Sequence, residues 1–131
     1  MYDELCLIYG NETICNNGTT TLAENFADQT GIRASFRAFQ TQKEAFGIKE
    51  SVPGLEEFSP EQQFFIAVGR TFCRYTDKED AKLYVEYDSH TQGSLRVEGM
   101  VKNFPEFATA FSCQSGQKYV AESQCLIYGQ E

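Results

Sequence analysis

The sequence has no tryptophan, one histidine and three prolines, and it carries 11 basic against 19 acidic side chains. The net charge of −8 argues against nucleic acid and anionic membrane as partners, because both need a basic face. No apolar run reaches the roughly 18 residues that a membrane helix requires. The length of 131 residues allows one domain at most.

Several catalytic signatures are also missing. None of the five cysteines lies in a CxxC pair, which argues against a thiolate zinc site or a thioredoxin-like motif. The sequence contains no GxSxG, GxGxxG or Walker sequence, so a serine nucleophile elbow and a phosphate-binding loop are not expected.

Cysteines and glycosylation signals indicate an oxidising, extracellular setting. Asn11 and Asn17 each begin an Asn-x-Thr acceptor sequence, and both are candidate glycosylation sites. The acidic start of the chain has neither a basic region nor an apolar region of a signal peptide. The odd number of cysteines leaves at least one unpaired. We therefore expect a piece of a longer extracellular chain, or a truncated copy of one.

The hydrophobic pattern predicts a mainly α-helical fold with three main helices, long loops and little strand. Residues 1–20 are expected to be a polar loop, because Asn, Gly and Thr dominate its second half. Ser59 before Pro60 is a strong helix start. Helices are predicted at 21–46, 59–75 and 104–112, and a loop that carries His90 and Arg96 is predicted at 88–99.

Two carboxylates, Glu24 and Asp28, lie four residues apart at the start of the first helix. Residues at this spacing share a helix face, where like charges repel each other by a few tenths of a kcal/mol. The pair is tolerated if the face is solvated, which is the usual case. Alternatively, Glu24 binds a metal and Asp28 orients a histidine that binds the same metal.

His90 is the only histidine and lies in a polar stretch that contains glycine, DSHTQG. A single histidine is most often a structural residue, but a polar loop is also where functional residues concentrate. Arg96 could present a second cation to the same anionic group, or it could simply be solvated.

These pieces together resemble the C-terminal part of the neprilysin family of zinc metallopeptidases, and the resemblance covers nearly the whole chain. The matching pieces, in order, are residues 21–28 (TLAENFAD), 37–40 (RAFQ), 53–55 (PGL), 63–65 (QFF), 72–73 (FC), 88–99 (DSHTQGSLRVEG), 106–107 (EF), 111–113 (FSC) and Cys125. The resemblance implies the C-terminal part of a zincin-type, thermolysin-like catalytic domain.

The resemblance also implies roles for four residues. Glu24 would be the third zinc ligand, and Asp28 would fix a zinc-bound imidazole. His90 would donate to the oxyanion of the tetrahedral intermediate, and Arg96 would bind substrate or hold the site together. Zinc in such enzymes polarises the scissile carbonyl and activates water.

The main departure from the family pattern is the absence of an HExxH helix, which supplies two zinc ligands and the general base. With one histidine the chain cannot assemble such a site, so we expect the chain alone to hold no zinc and to be inactive. Lesser departures are Gln29-Thr30 for a usual Asn-Gly, Phe72 for a usual Trp, and the tail at 126–131.

By resemblance, Cys6 and Cys125 would form a disulfide. Cys73 and Cys113 would pair with cysteines in an N-terminal part that this sequence does not contain. Cys15 has no counterpart in the family pattern.

The sequence therefore predicts the C-terminal portion of a zinc metalloendopeptidase that hydrolyses extracellular peptides. Its partners would be the peptide substrate and the missing N-terminal part, and this segment would contact neither nucleic acid nor membrane. The location would be extracellular, or the ectodomain of a plasma-membrane protein. The alternative is a non-catalytic secreted binding or decoy module derived from such a peptidase, which would have a closed core and no exposed apolar helix faces.

Overall fold

The structure, a computed structural model, describes residues 1–47 and 51–125. The described residues form a β-hairpin followed by five helices, so the prediction of a mainly α fold is confirmed. After a short 3₁₀ turn at Tyr2–Glu4, the elements are β1 (Cys6–Tyr9), β2 (Glu12–Cys15), α1 (Leu22–Phe46), α2 (Pro60–Thr71), α3 (Lys78–Tyr87), α4 (Gly93–Lys102) and α5 (Pro105–Ala110). None of these helices has both the length and the apolar character needed to cross a membrane.

The start of α2 shows how local sequence fixes a helix end. Ser59 Oγ accepts a hydrogen bond from the backbone N–H of Gln62, and Gln62 Oε1 accepts one from the backbone N–H of Ser59. This reciprocal capping box satisfies two backbone donors that a helix otherwise leaves unpaired. Pro60 occupies the first turn, where its missing N–H costs nothing.

An aromatic cluster forms the core between α1, α2 and the end of α4. The Phe36 ring from α1 stacks on Phe65 from α2 at a centroid distance of 5.2 Å, and it meets Phe104 edge-on at 5.4 Å. Ile32 and Met100 complete the buried cluster. Each such side chain contributes about 1.5–3 kcal/mol when it is removed from water. The cluster fixes α1 against α4, the two helices that carry the candidate site.

The predicted loop at 88–99 is largely a helix, because its two glycines serve close packing rather than a turn. A Cβ at Gly93 would lie 2.5 Å from the backbone oxygen of Phe72, and a Cβ at Gly99 would lie 2.4 Å from the ring of Tyr2. Both positions exclude a side chain while the helix continues past them. Leu95 and Met100 on α4 are buried, which stabilises the helix through tertiary contacts.

Two further expectations need correction. Residues 1–20 are not simply a loop, because β1 and β2 pair antiparallel around Gly10, whose φ is +61°. The second helix ends at Thr71 rather than at 75, and a further helix, α3, follows at Lys78–Tyr87. Asp77 caps α3 through a hydrogen bond from the backbone N–H of Asp80.

The disulfide also differs from the expected Cys6–Cys125 pairing, because Cys6 is bonded to Cys15. The hairpin register places these two cysteines directly opposite each other, with their Cα atoms 3.9 Å apart. Cys125 is a free thiol, as are Cys73 and Cys113. The backbone of Cys125 instead makes two hydrogen bonds to the side chain of Asn103. The tail at 126–131 lies outside the described residues.

Candidate functional site

Helix α1 carries Glu24 and Asp28 near its start, next to a side of the helix that is anchored in the protein. Asn25, Gln29 and Ile32 are buried on that anchored side. Helix α4 packs across α1 and carries Arg96 in its first turn. The segment that leads into α4 carries His90. The four side chains singled out from the sequence therefore come from two elements that the core holds together.

Asp28 and Arg96 form a bidentate ion pair. Arg96 Nε donates to Asp28 Oδ2 and Arg96 Nη2 donates to Asp28 Oδ1, each at 2.7 Å. The guanidinium also lies over the Phe72 ring, 4.8 Å from its centroid, a favourable cation–π contact. The hydrogen bonds that Arg96 donates to the Asp28 carboxylate raise the pKa of Arg96 further above its usual value. The cation opposite Asp28 within the described residues is thus Arg96.

Glu24 and Asp88 lie on either side of the His90 ring. His90 Nε2 is 3.2 Å from Glu24 Oε2, and His90 Nδ1 is 2.8 Å from Asp88 Oδ1. The same Asp88 oxygen accepts the backbone N–H of His90 at 2.8 Å. This backbone bond, followed by the interaction with the imidazole, lowers the pKa of Asp88 despite its partial desolvation. Asp88 therefore fixes both the turn and the orientation of the ring.

The protonation state of His90 determines how both contacts can be made. A neutral imidazole has one N–H, whereas an imidazolium has two and can donate to both carboxylates at once. The side chains of His90 and Glu24 are each 39% exposed, so this end of the site is open to solvent.

The side chains present do not make a complete metal site. Within residues 1–47 and 51–125, no group of three His, Cys, Asp or Glu side chains is arranged to hold a metal ion. A zinc site needs three or four such ligands. Glu24 supplies a suitable carboxylate, but the rest of a neprilysin-type donor set is not among the described residues.

An open cleft of about 390 Å³ is lined in part by Asp88. Arg74 and three tyrosines line it together with part of α3; the tyrosines are Tyr75, Tyr84 and Tyr87. Sequence reasoning did not single out this cleft. The concentration of tyrosines at 75–87 was the available signal, but tyrosine is equally common in cores and on surfaces.

Two buried residues behind the site, Asn25 and Thr91, were not among the residues singled out from the sequence. Thr91 Oγ1 donates to Asn25 Oδ1 at 2.7 Å. Each residue directly follows a residue that was singled out, but neither residue type by itself indicates burial.

The two glycosylation candidates lie on the surface near the hairpin. Asn11 is exposed in the turn between β1 and β2, and Asn17 is exposed in the loop before α1. The Asn17 side chain accepts a hydrogen bond from the backbone N–H of Thr20 at 3.1 Å.

Comparison with known proteins identifies the chain's relatives. Residues 1–127 match the model of Peptidase family M13. The chain is 33% identical over 130 residues to Neprilysin-2 of Drosophila melanogaster, which covers 94% of this chain and 17% of the relative. It is 34% identical over 123 residues to an endothelin-converting enzyme homolog of Locusta migratoria, covering 92% of this chain and 17% of the relative.

A mammalian relative gives the same result. Neprilysin of Mus musculus is 33% identical over 112 residues, which covers 86% of this chain and 15% of the relative. The chain thus spans about one sixth of the length of the curated relatives that it matches. The match to the family model runs through the hairpin and all five helices of the described residues. The chain belongs to peptidase family M13, a family of metallopeptidases that in general depend on zinc.

Proposed function

We propose that this chain is the C-terminal portion of a zinc metalloendopeptidase that hydrolyses extracellular peptides. The observation that supports it is the convergence of Glu24, Asp28, His90 and Arg96 on one side of the α1–α4 pair. Glu24 Oε2 lies 3.2 Å from His90 Nε2, and Asp28 is held by two hydrogen bonds from Arg96. Membership of family M13 supports the same reaction class.

Glu24 is the proposed third zinc ligand. Residues outside this sequence would supply the remaining ligands of the zinc site. Zinc, when bound, would polarise the scissile carbonyl and activate a water molecule. Asp28 would orient a ligand histidine, and Arg96 would hold Asp28 in place. A carboxylate has about four lone-pair positions, so the two bonds from Arg96 leave room for an imidazole N–H.

His90 would donate a hydrogen bond to the oxyanion that forms on the scissile carbonyl. Because Nδ1 faces Asp88 at 2.8 Å, the ring turns Nε2 toward Glu24 Oε2, which lies 3.2 Å away. When Nδ1–H donates to Asp88, Nε2 carries a proton only in the imidazolium form.

The isolated chain should bind zinc poorly and should not hydrolyse peptides. Its sequence lacks an HExxH motif and contains a single histidine. The direct test is the zinc content of the purified chain together with a peptidase assay, with a Glu24→Gln variant alongside. Trace zinc and no turnover are expected in both proteins. One zinc per chain with turnover that depends on Glu24 would overturn the claim that the chain lacks part of the site.

A second candidate is a non-catalytic secreted binding or decoy module. It is favoured by the self-contained core, since every buried side-chain nitrogen and oxygen among the described residues has a hydrogen-bond partner. Against it, Leu22 and Phe26 lie one turn apart on α1 and remain 65% and 47% exposed, as expected of a surface that packs against other chain segments. A chain that stays monomeric in solution favours the module. Self-association through this surface favours the peptidase segment.

The proposed setting is extracellular, either secreted or as the ectodomain of a plasma-membrane protein. Both Asn11 and Asn17 are accessible on the surface, and we propose that both carry N-linked glycans. Expression through a secretory pathway should give a protein that loses mass on treatment with an N-glycosidase. Single Asn11→Gln and Asn17→Gln variants would each lose one glycan, and an unchanged mass would remove that site from the proposal.

A further inference from the structure

A chain of buried polar side chains lies directly behind the exposed pair of Glu24 and His90. Thr91 is 0% exposed and Asn25 is 3% exposed, and Thr91 Oγ1 donates to Asn25 Oδ1 at 2.7 Å. The amide of Asn25 in turn donates to Thr21 Oγ1 at 2.8 Å. The Thr21 hydroxyl donates to the backbone oxygen of Asn17. The buried chain therefore runs from the segment before α4, through α1, to the loop that precedes α1.

The buried Thr91–Asn25 bond and the exposed His90–Glu24 contact join the same two segments of backbone. Asn25 follows Glu24 in α1, and Thr91 follows His90 in the segment that leads into α4. An exposed ion pair contributes between zero and about 1 kcal/mol, so the half-exposed contact between Glu24 and His90 cannot fix its own geometry. A buried hydrogen bond can, because losing one partner leaves the other unsatisfied at a cost of about 1–3 kcal/mol.

In the described part of the chain, the other hydrogen bonds near His90 do not join its segment to the part of α1 next to Glu24. Gln92 Nε2 donates to the backbone oxygen of Ala81 at 3.3 Å, which ties the segment to α3. The Arg96–Asp28 pair joins α4 to α1 five residues after Thr91 and three residues after Asn25. Among the hydrogen bonds of the described residues, the Thr91–Asn25 bond is the one that ties the segment next to His90 directly to α1.

We propose that Asn25 and Thr91 are positioning residues that set the separation between the Glu24 carboxylate and the His90 imidazole. Their importance for catalysis rests on the proposed peptidase function, but the geometric claim does not. Asparagine suits this role because its amide donates and its carbonyl oxygen accepts. It can therefore bond to Thr21 and Thr91 at the same time.

The test uses nuclear Overhauser effects in the isolated, isotopically labelled chain. His90 is the only histidine, so its ring protons are assigned without ambiguity. The wild-type chain should show a contact between a His90 ring proton and the γ-methylene of Glu24. Thr91→Val keeps the side-chain shape but removes the hydroxyl donor, and Thr91→Ser keeps the donor.

The His90–Glu24 contact should be lost in Thr91→Val and retained in Thr91→Ser. The matched control is Thr41→Val, which removes an exposed hydroxyl bonded to the Arg37 carbonyl in the same helix and should leave the contact unchanged. Retention of the contact in a folded Thr91→Val chain would overturn the proposal, and so would equal loss in the serine variant.

A second variant covers the case in which Thr91→Val does not fold. Thr91→Cys carries a weaker donor than a hydroxyl and should weaken the contact, whereas an unchanged contact counts against the proposal. None of these measurements uses zinc or peptide. Failure of the peptidase function would therefore leave the result intact, and failure of the positioning claim would leave the peptidase function untouched.

Discussion

Arg96 holds Asp28 through two parallel hydrogen bonds of 2.7 Å and thereby ties the first turn of α4 to the second turn of α1. The side chains are only 19% and 10% exposed, so water does little to screen the pair. The planar guanidinium matches both carboxylate oxygens at once, a geometry that lysine cannot reproduce.

Removing either half of this pair should destabilise the fold. Asp28→Asn and Arg96→Lys should each lower the free energy of unfolding by about 1.5–3 kcal/mol, the range for hydrogen bonds to charged groups. Urea denaturation measures the difference. Lys82→Ala is the control, because its ion pair with Glu12 is exposed and should contribute less than about 1 kcal/mol. A loss in Asp28→Asn no larger than that of the control would contradict the structural role.

The aromatic core should depend on Phe36 far more than on Phe46, although both belong to α1. Phe36 is 4% exposed and Phe46 is 73% exposed. Phe36→Ala should cost about 3–5 kcal/mol, whereas Phe46→Ala should stay within about 0.5 kcal/mol of wild type. Thermal unfolding followed by circular dichroism compares the two. Equal effects would mean that the core is not centred on Phe36.

The helical glycines should respond to alanine in opposite directions. At Gly93 the new Cβ would lie 2.5 Å from the Phe72 carbonyl oxygen, so Gly93→Ala should cost about 1–3 kcal/mol through overpacking. At Gly31, in the interior of α1, nothing lies within 4 Å of the new Cβ. Gly31→Ala should therefore stabilise the protein by about 0.5–1 kcal/mol. The denaturation midpoints of the two variants and the wild type measure these differences. If Gly93→Ala leaves the stability unchanged, α4 does not approach Phe72 closely.

Tyr2 should make stability fall at alkaline pH. Its phenol packs on Gly99, and burial raises its pKa from 10.0 to about 12, although a hydrogen bond from Gln29 opposes the shift. Because the folded-state pKa is the higher one, the stabilisation is complete below pH 10 and is lost as the pH rises toward 12.

Tyr2→Phe removes the ionisable group and should flatten this alkaline loss of stability. Tyrosinate absorbance gives an independent reading, because the wild-type titration should contain a component near pH 12 that the variant lacks. If the two titrations superimpose, Tyr2 is not buried on Gly99.

The starts of α1 and α2 could be predicted because their signals are local. Thr21 precedes an apolar stripe, and Ser59-Pro60 forms a capping sequence whose hydrogen bonds the structure shows. Helix α4 could not be predicted, since Gly93 and Gly99 read as loop residues. Their absent side chains make room for Phe72 and Tyr2, and only the tertiary fold brings those partners close.

Part of the candidate site could likewise be predicted from local sequence, and part could not. The four-residue spacing of Glu24 and Asp28 placed both carboxylates on one helix face, and the family resemblance singled out His90 and Arg96. The pairing itself, Asp28 with Arg96 and Glu24 with His90, depends on how α4 crosses α1 and is not contained in any local pattern. The Cys6–Cys15 bond likewise follows from a hairpin register that the sequence pattern of residues 1–20 does not reveal.

We propose that Glu24 completes a zinc site together with residues of a longer chain. The most direct measurement is peptide hydrolysis by a chimera of a full-length M13 relative in which this chain replaces the aligned C-terminal segment. The chimera should bind one zinc and hydrolyse peptide, and Glu24→Gln should abolish both. Glu44→Gln, an exposed position on the same helix, should change neither. A folded chimera without turnover, or one in which Glu24→Gln leaves turnover unchanged, would contradict the account.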